Sequence, residues 1–141
     1  MIIDSHSHWL PEEIINNAHF FSKAWGDIES WLKNMEEAGI DKAVLSYPTS
    51  DAHLKLGSIS LVARIYNDNV AKMLKRFPDK FIGAAILPVD NSCDMVKEIK
   101  RAIEELGFKA ISLATSYNGK YLDDPMFLPV FEEAQKRKIP I

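Results

Sequence analysis

The feature that most restricts the fold of this chain is a regular alternation between short apolar runs and longer amphipathic stretches. Apolar runs of strand length predict four strands, near residues 2–7, 40–46, 81–87 and 109–114. The segment Ile139-Pro140-Ile141 resembles the opening of a fifth strand. Apolar runs that lack polar alternation are typical of strands buried on both faces, which occur in parallel sheets covered by helices.

Between the predicted strands, apolar residues recur at the spacing of a helix. Four such stripes are expected to be the buried faces of helices: Ile28, Trp31, Leu32, Met35 and Ala38; Val62, Ile65, Tyr66, Met73 and Phe77; Met95, Ile99, Ala102, Ile103 and Leu106; and Phe127, Val130, Phe131 and Ala134. Gly39 and Gly107 are placed to end helices in a left-handed conformation, and each leads directly into a strand. Ser58, Ser92 and Asp124 are the predicted N-caps.

Strand–helix units of this kind fit two architectures. One is the N-terminal half of a (β/α)8 TIM barrel with parallel strands, and the other is a small open parallel sheet. A complete barrel has about 250 residues, so we favour the half barrel, as a single domain over residues 1–141 that stops within its fifth strand. The half barrel predicts consecutive strand order with the helices on one side, whereas the open sheet places the first strand in the middle.

The composition narrows the class of partner. The 141 residues carry a formal net charge of −3, which gives no reason to expect nucleic acid or an anionic membrane as a partner. No apolar stretch is long enough to cross a membrane, and Asp4, His6 and His8 interrupt the N-terminal apolar run, so no signal peptide is expected. We therefore expect a cytoplasmic protein. The one cysteine, Cys93, cannot form an internal disulfide.

The first predicted strand carries two histidines separated by one residue. Successive side chains of a strand point to opposite faces, so His6 and His8 are expected on one face, where both imidazoles can reach one cation. Neutral imidazole is a common ligand of divalent ions, and we predict zinc, with manganese as the alternative metal. Taken alone, the two histidines could equally be a coincidence of sequence or a hydrogen-bonded polar pair. Asp4 shares this face by the same period. Its carboxylate is predicted either to orient one of the histidines or to pair with a lysine or arginine.

Several segments resemble a known family, in the right order over nearly the whole chain. Ile3-Asp4-Ser5-His6-Ser7-His8, followed by Pro11-Glu12, resembles the first strand of the amidohydrolase superfamily. The resemblance is to its branch of metal-dependent decarboxylases, hydratases and hydrolases that includes aminocarboxymuconate semialdehyde decarboxylase. The later matching segments are Arg76-Phe77-Pro78-Asp79-Lys80-Phe81-Ile82-Gly83 with Leu87-Pro88-Val89, Glu105-Leu106-Gly107-Phe108-Lys109-Ala110-Ile111, Tyr121-Leu122-Asp123-Asp124-Pro125-Met126-Phe127 and Arg137-Lys138-Ile139-Pro140-Ile141.

This resemblance implies a site at the carboxyl ends of the barrel strands, with His6 and His8 as the first two metal ligands. The family's other ligands are a histidine on the fifth strand, usually another on the sixth, and an aspartate on the eighth, all beyond Ile141. The implied activity is that of a metal-dependent hydrolase or decarboxylase of a small, carboxylate-bearing organic substrate. We expect the 141-residue chain itself to be inactive and, through unpaired strand edges, to form a homo-oligomer.

Two residues that follow the second predicted strand are candidates for substrate contact. Tyr47 stands at the strand end and His53 lies in the loop beyond it, on the side where barrel enzymes bind substrates. For His53 the alternative is an ordinary solvated loop residue. A different class of function is a non-catalytic α/β ligand-binding or oligomerisation module. The first strand is followed by His-Trp-Leu-Pro and not by a glycine-rich turn, which argues against a nucleotide as ligand.

Overall fold

Strands and helices alternate along the chain, as the apolar pattern predicts. The computed structural model describes residues 1–17, 22–48 and 56–141. The strands are β1 (Ile3–His8), β2 (Lys42–Ser46), β3 (Phe81–Ala85), β4 (Ala110–Ile111), β5 (Ser116–Tyr117) and β6 (Lys120–Tyr121). The α-helices are α1 (Glu12–Ile15), α2 (Ile28–Glu37), α3 (Ile59–Arg76), α4 (Ser92–Glu104) and α5 (Leu128–Arg137). No helix in these residues has both the length and the apolar character needed to cross a membrane.

Strands β1 to β4 form one sheet in the order of the sequence. The pairs β1–β2, β2–β3 and β3–β4 are all parallel. Within the described residues β1 lies at the edge of the sheet and not in its middle, which confirms the half-barrel order and rules out the open sheet. Strand β4 is shorter than the predicted range 109–114, although the Ser112 N–H continues the pairing by donating to the Ala85 carbonyl oxygen at 2.8 Å.

The helices pack against one face of this sheet. Ala43 and Leu45 of β2 point toward them and are completely buried, in one cluster with Met35 of α2. On the same side, β3 carries Gly83, where a Cβ atom would lie 2.8 Å from the Phe108 ring. The helix-facing side of the sheet is therefore close-packed, with no space for one additional carbon at Gly83.

Short polar side chains set the starts of the long helices. The Ser58 hydroxyl accepts the N–H of Leu61 at the start of α3, as predicted. The prediction that Ser92 caps α4 is wrong by one residue, because the cap is Asn91 and Ser92 is the first helical residue. The Asn91 side-chain oxygen accepts the N–H of Asp94 at 2.9 Å. Asparagine and serine cap helices almost equally well, so local sequence alone does not choose between them.

Glycines end the helices that lead into β2 and β4. Gly39 and Gly107 have φ angles of 69° and 82°, the left-handed conformation predicted for them. Asp124 also caps as predicted, since its carboxylate accepts the N–H of Met126, and the capped segment is a 3₁₀ helix over Pro125–Phe127 that leads into α5.

The region after β4 contains a turn that the sequence analysis did not predict. Strands β5 and β6 pair antiparallel through Asn118 and Gly119, with φ angles of 51° and 78°. Two successive positive φ angles are the pattern of a type I′ hairpin turn, for which Asn-Gly is the preferred sequence. After α5, the carbonyl oxygen of Pro140 accepts the N–H of Ile111 at 3.0 Å, next to β4 where a fifth strand was expected.

Candidate metal centre and substrate cavity

The face of the sheet opposite the helices lines an open cavity of about 570 Å³. It lies at the carboxyl ends of the strands, where barrel enzymes place their sites. Residues of all four parallel strands and of the segments that follow them form its wall: Ser5, His6, His8, Val44, Ser46, Tyr47, Pro48, Ala84, Ile86, Ala110, Ile111, Ser112, Leu113, Ala114, Tyr117, Pro140 and Ile141. Both predicted metal ligands and one predicted substrate-binding residue, Tyr47, are therefore on one surface.

Strand β1 contains a β-bulge, which changes its side-chain alternation. Asp4 is in register with Ala43, and Ser7 is in register with Leu45. Three steps along β1 thus correspond to two steps along β2, so one residue of β1 is extra. Because paired residues of neighbouring strands face the same way, Asp4 and Ser7 align with the helix-facing residues of β2.

The bulge separates Asp4 from the two histidines. His6 and His8 line the cavity, whereas Asp4 is not part of its wall. The predicted placement of Asp4 on the face of the histidines is therefore wrong, because strict alternation does not hold across the bulge. The Asp4 carboxylate instead accepts the main-chain N–H of His6 at 3.1 Å, so its contact with the histidine pair is through the backbone.

The two imidazoles converge at their outer nitrogens. The Nε2 atoms of His6 and His8 are 3.2 Å apart, and the ring planes are inclined by 78°. Two nitrogens that each lie about 2.0–2.1 Å from one ion are separated by about 3 Å, so this pair fits a divalent metal. Within residues 1–17, 22–48 and 56–141, no third His, Cys, Asp or Glu joins them to form a larger metal-binding group.

Ser46 fixes the proton of His8 on the nitrogen that faces away from His6. The Ser46 hydroxyl donates its single proton to the Ser7 carbonyl oxygen at 2.9 Å. The same hydroxyl lies 3.0 Å from His8 Nδ1, so it accepts the hydrogen bond there, and the Ser46 carbonyl lies 3.3 Å from Nδ1. This pattern assigns the proton to Nδ1 and leaves Nε2 with the lone pair that a metal ligand needs.

A tryptophan outside the sheet covers one side of the same ring. The indole of Trp25 lies parallel to the His8 imidazole, with 6° between the planes and 5.7 Å between the centroids. Trp25 belongs to the 3₁₀ helix Lys23–Gly26, in the long segment between β1 and α2. Sequence analysis did not assign this contact, because no periodic pattern links residue 25 to residue 8.

Tyr47 is part of the cavity wall, and its hydroxyl is buried. Its side chain is 8% exposed, and its ring meets that of Tyr66 edge to face at 5.3 Å. Neither hydroxyl has a hydrogen-bond partner among the described residues. Burial raises the pKa of both tyrosines above the usual 10.0, so each remains a neutral O–H donor at physiological pH. His53, the other predicted substrate contact, lies outside the described residues.

A buried polar network supports the cavity wall at the end of β3. The Asn67 side chain of α3 is completely buried, donates to the Ile86 carbonyl oxygen at 2.9 Å and accepts the Ile86 N–H at 3.1 Å. Asn67 also donates to Glu98 at 2.7 Å, and Arg101 binds both Glu98 and Asp68. The hydrogen bond to Glu98 is the main reason that the pKa of Arg101 is raised.

Comparison with known proteins places this geometry in a family. The family described as Amidohydrolase matches residues 3–141. The 2-amino-3-carboxymuconate-6-semialdehyde decarboxylase of Dictyostelium discoideum is 39% identical over 75 residues, which cover 53% of this chain and 21% of that protein. The gamma-resorcylate decarboxylase of Rhizobium radiobacter is 31% identical over 148 residues, which cover 93% of this chain and 45% of that protein.

A solved structure gives the same result for the fold. The 5-carboxyvanillate decarboxylase of Novosphingobium aromaticivorans, crystallised with manganese and 3-methoxy-4-hydroxy-5-nitrobenzoic acid, superposes with a TM-score of 0.81 at 26% identity. The match covers 99% of this chain and 49% of that chain. This chain therefore spans about half the length of relatives that match it from end to end. With its four consecutive parallel β/α units and its histidine pair at the carboxyl end of β1, the chain belongs to the amidohydrolase family.

Proposed function

We propose that this chain provides the first two ligands, His6 and His8, of a divalent-metal site, and that the enzyme it represents decarboxylates a small unsaturated or aromatic carboxylate. The single observation that carries the metal site is the convergence of the two Nε2 atoms at 3.2 Å. The orientation of His8 supports it, because Ser46 holds the proton on Nδ1 and leaves Nε2 free to bind.

Asp4 has a supporting place in this proposal. Its carboxylate holds the main-chain N–H of His6 at 3.1 Å, which fixes the backbone from which the first ligand projects. The hydrogen bond at His8 and the backbone contact at His6 thus restrain the two ligands by different routes. When bound, a divalent ion would supply Lewis-acid polarisation of a substrate oxygen.

Decarboxylation is favoured over hydrolysis by the relatives. Both curated relatives are named as decarboxylases of carboxylates, and the solved structure is a decarboxylase with a nitrobenzoic acid derivative bound. The cavity agrees with a flat, partly apolar substrate, since Val44, Ala84 and Ile86 offer hydrocarbon surface beside the histidines. Tyr47, which lines the cavity, and His53 remain the proposed substrate contacts.

Metal binding by the 141-residue chain is the direct test. Wild type, His6→Ala and His8→Ala are titrated with Mn²⁺ and separately with Zn²⁺, with calorimetry for affinity and metal analysis after dialysis for stoichiometry. We expect weak binding of one ion, because catalytic zinc sites use three protein ligands. Each alanine variant should weaken binding by at least about tenfold.

The chain offers a control for this experiment in a histidine to which no site role is assigned. His19→Ala removes the same chemical group and should leave the dissociation constant within about twofold of wild type. Equal losses from all three substitutions, or no binding by wild type at millimolar metal, would contradict the metal site. The ion that binds with the higher affinity is then used in the assay of carbon dioxide release.

The decarboxylase proposal is tested by carbon dioxide release. Gamma-resorcylate, 5-carboxyvanillate and 2-amino-3-carboxymuconate-6-semialdehyde are offered to the chain, and to any longer protein that contains it, with the preferred ion. We expect the 141-residue chain to be silent and a longer protein with further ligands to release carbon dioxide. Hydrolysis of an ester or amide without decarboxylation by the longer protein would overturn the proposed reaction and leave the metal site intact.

A homo-oligomer, a cytoplasmic location and the lack of nucleic-acid or membrane partners stay predictions from the sequence. Sedimentation at micromolar concentration tests the first of these. A monodisperse monomer would contradict it.

A further inference from the structure

We propose that Trp25 is a positioning residue for His8, and that it sets the plane of the imidazole that presents Nε2 to the metal. The inference rests on the proposed function, because it takes His8 to be a ligand. The geometry is the parallel stack, with 6° between the ring planes and 5.7 Å between the centroids. That distance lies in the range of offset aromatic stacking.

The hydrogen bond that Nδ1 of His8 donates to the Ser46 hydroxyl does not by itself orient the ring. A contact at Nδ1 fixes one edge of the imidazole but permits the ring to turn about the line that joins Nδ1 to the serine oxygen. A flat surface against one face of the ring removes that freedom. The two contacts together define a single orientation, and in it Nε2 of His8 approaches Nε2 of His6 at 3.2 Å.

The stacking surface is itself held in place by the backbone. The Trp25 carbonyl oxygen accepts the N–H of Leu10 at 3.2 Å, which ties the tryptophan to the chain just after β1. The Ser22 hydroxyl caps the 3₁₀ helix that contains Trp25 by accepting the N–H of Ala24 at 3.2 Å. Asp27, directly after this helix, caps α2 through the N–H of Ser30 at 3.1 Å. Trp25 therefore lies between the cap of its own 3₁₀ helix and the cap of α2.

The residue after Trp25 packs closely against the chain that follows β1. A Cβ atom at Gly26 would lie 2.8 Å from the Ile15 side chain and 3.1 Å from the Leu10 carbonyl oxygen. Glycine at this position lets the segment approach the Leu10 carbonyl oxygen and α1 without displacing either. The backbone that carries the indole is thus held by contacts that do not involve His8, which is what a positioning residue requires.

A second tryptophan provides the matched control. Trp31 lies on the same cleft as Trp25 and the two histidines, a groove of about 470 Å³ along the outer side of β1. Its ring contacts Phe81 at 5.5 Å, and it has no ring contact with His8. Trp31→Phe therefore changes a neighbouring indole without removing the stack.

The first experiment needs no metal and uses the folded 141-residue chain at one fixed pH. Long-range nitrogen–proton spectra of the imidazoles report the ring-current shift and the tautomer of His8. In wild type we expect upfield ring protons and the Nδ1–H form. Trp25→Leu should remove the upfield shift and average the tautomer, while Trp31→Phe should change neither. Unchanged His8 signals in Trp25→Leu would overturn the proposal.

The second experiment measures binding of Mn²⁺, with Ni²⁺ as a tighter-binding probe for a nitrogen pair. Trp25→Leu should raise the dissociation constant by about 2- to 10-fold, the range that corresponds to loss of one aromatic stack. Trp25→Phe keeps a flat ring and should restore binding to within about twofold of wild type. Equal weakening by Trp25→Leu and Trp31→Phe would overturn the positioning role and indicate general packing instead.

The two experiments also separate this inference from the proposed function. If wild type bound neither ion, the metal site would fail, yet the ring-current and tautomer data would still decide whether Trp25 orders the imidazole. If wild type bound metal and Trp25→Leu bound it equally well, the metal site would stand and the role of Trp25 would be rejected.

Discussion

The two faces of the sheet differ in how completely the described residues cover them. On the helix-facing side, Ala43 and Leu45 are fully buried and Gly83 has no room for a Cβ atom. On the cavity side, Val44 and Ser46 of the same strand are only partly buried and line an open space. The comparison teaches that the stabilising packing and the candidate chemistry are on opposite sides of one strand. A substitution on either side should therefore change one property with little effect on the other.

The largest effect on stability is expected at Asn67, the buried residue of α3 that bonds to the backbone of Ile86 in the cavity wall. Asn67→Ala leaves the N–H and the carbonyl of Ile86 without their side-chain partner, at about 1–3 kcal/mol for each buried group, or about 2–6 kcal/mol together. Urea unfolding measures the loss. Asn69→Ala is the control, because Asn69 lies on the same helix and the described hydrogen bonds of its side chain stay within that helix, to the Ile65 carbonyl oxygen and from the Lys72 ammonium group. Equal losses at both positions would show that the network does not support the cavity wall.

A pair of neighbours in β2 tests the comparison directly. Leu45→Ala should lower the free energy of unfolding by about 2–5 kcal/mol, because it opens a cavity in the close-packed side. Val44→Ala removes a smaller side chain from the open side and should cost less than about 1.5 kcal/mol. Both are measured by urea unfolding. If Val44→Ala cost as much as Leu45→Ala, the cavity side would have to be packed in solution.

A substitution that adds volume also tests the close packing on the helix-facing side of the sheet. Gly83→Ala should destabilise by about 1–3 kcal/mol, since the new methyl group would lie 2.8 Å from the Phe108 ring. The double variant Gly83→Ala with Phe108→Leu makes space for the methyl group. Thermal unfolding of the four proteins of this cycle should show a favourable coupling between the two substitutions. Strict additivity would contradict the close contact.

The smallest effect is expected at Asp27, which belongs to neither face. Hydrogen bonds from the main chain and the hydroxyl of Ser30 lower the pKa of Asp27 below the usual 3.8. A lowered pKa in the folded state means that the carboxylate stabilises fully above its unfolded pKa, and that this contribution is lost as the pH falls through the folded value. Asp27→Asn keeps an acceptor that does not titrate. The gap in thermal midpoint between wild type and variant should therefore change in acid, below about pH 4. A gap that is the same at pH 3 and pH 6 would refute the pKa shift.

The sequence was sufficient for features that depend on neighbouring residues. Apolar runs located all four parallel strands, and Gly39 and Gly107 marked the helix ends because their left-handed backbone is a local requirement. The consecutive order of the strands followed from the half-barrel architecture that the resemblance implied. The hairpin at Asn118-Gly119 is likewise a local feature, because Asn-Gly is the preferred sequence of a type I′ turn, and the sequence contains enough information to predict it.

Features of the site that depend on pairing between distant segments were not predictable in this way. The bulge in β1 is defined by the register of β1 with β2, and β1 contains no glycine or proline that would have indicated it. The stack of Trp25 on His8 depends on how an irregular segment folds back over β1. His6 and His8 were found because two residues with the same chemistry and a spacing of two are visible without any partner strand.

The contact between Asp4 and the N–H of His6 has a consequence for design. An aspartate that accepts the N–H two residues ahead forms an Asx-turn, a motif written entirely within the tripeptide Asp-Ser-His. The residue that bends β1 locally thus lies next to the ligands in the sequence, although the register of β1 also depends on its pairing with β2. Anyone who grafts this histidine pair onto the edge strand of another protein should transplant Asp4 with it. If the histidines were transplanted without Asp4, they would lie in a strand with regular alternation. The hydrogen bond that holds the backbone at His6 would then be absent.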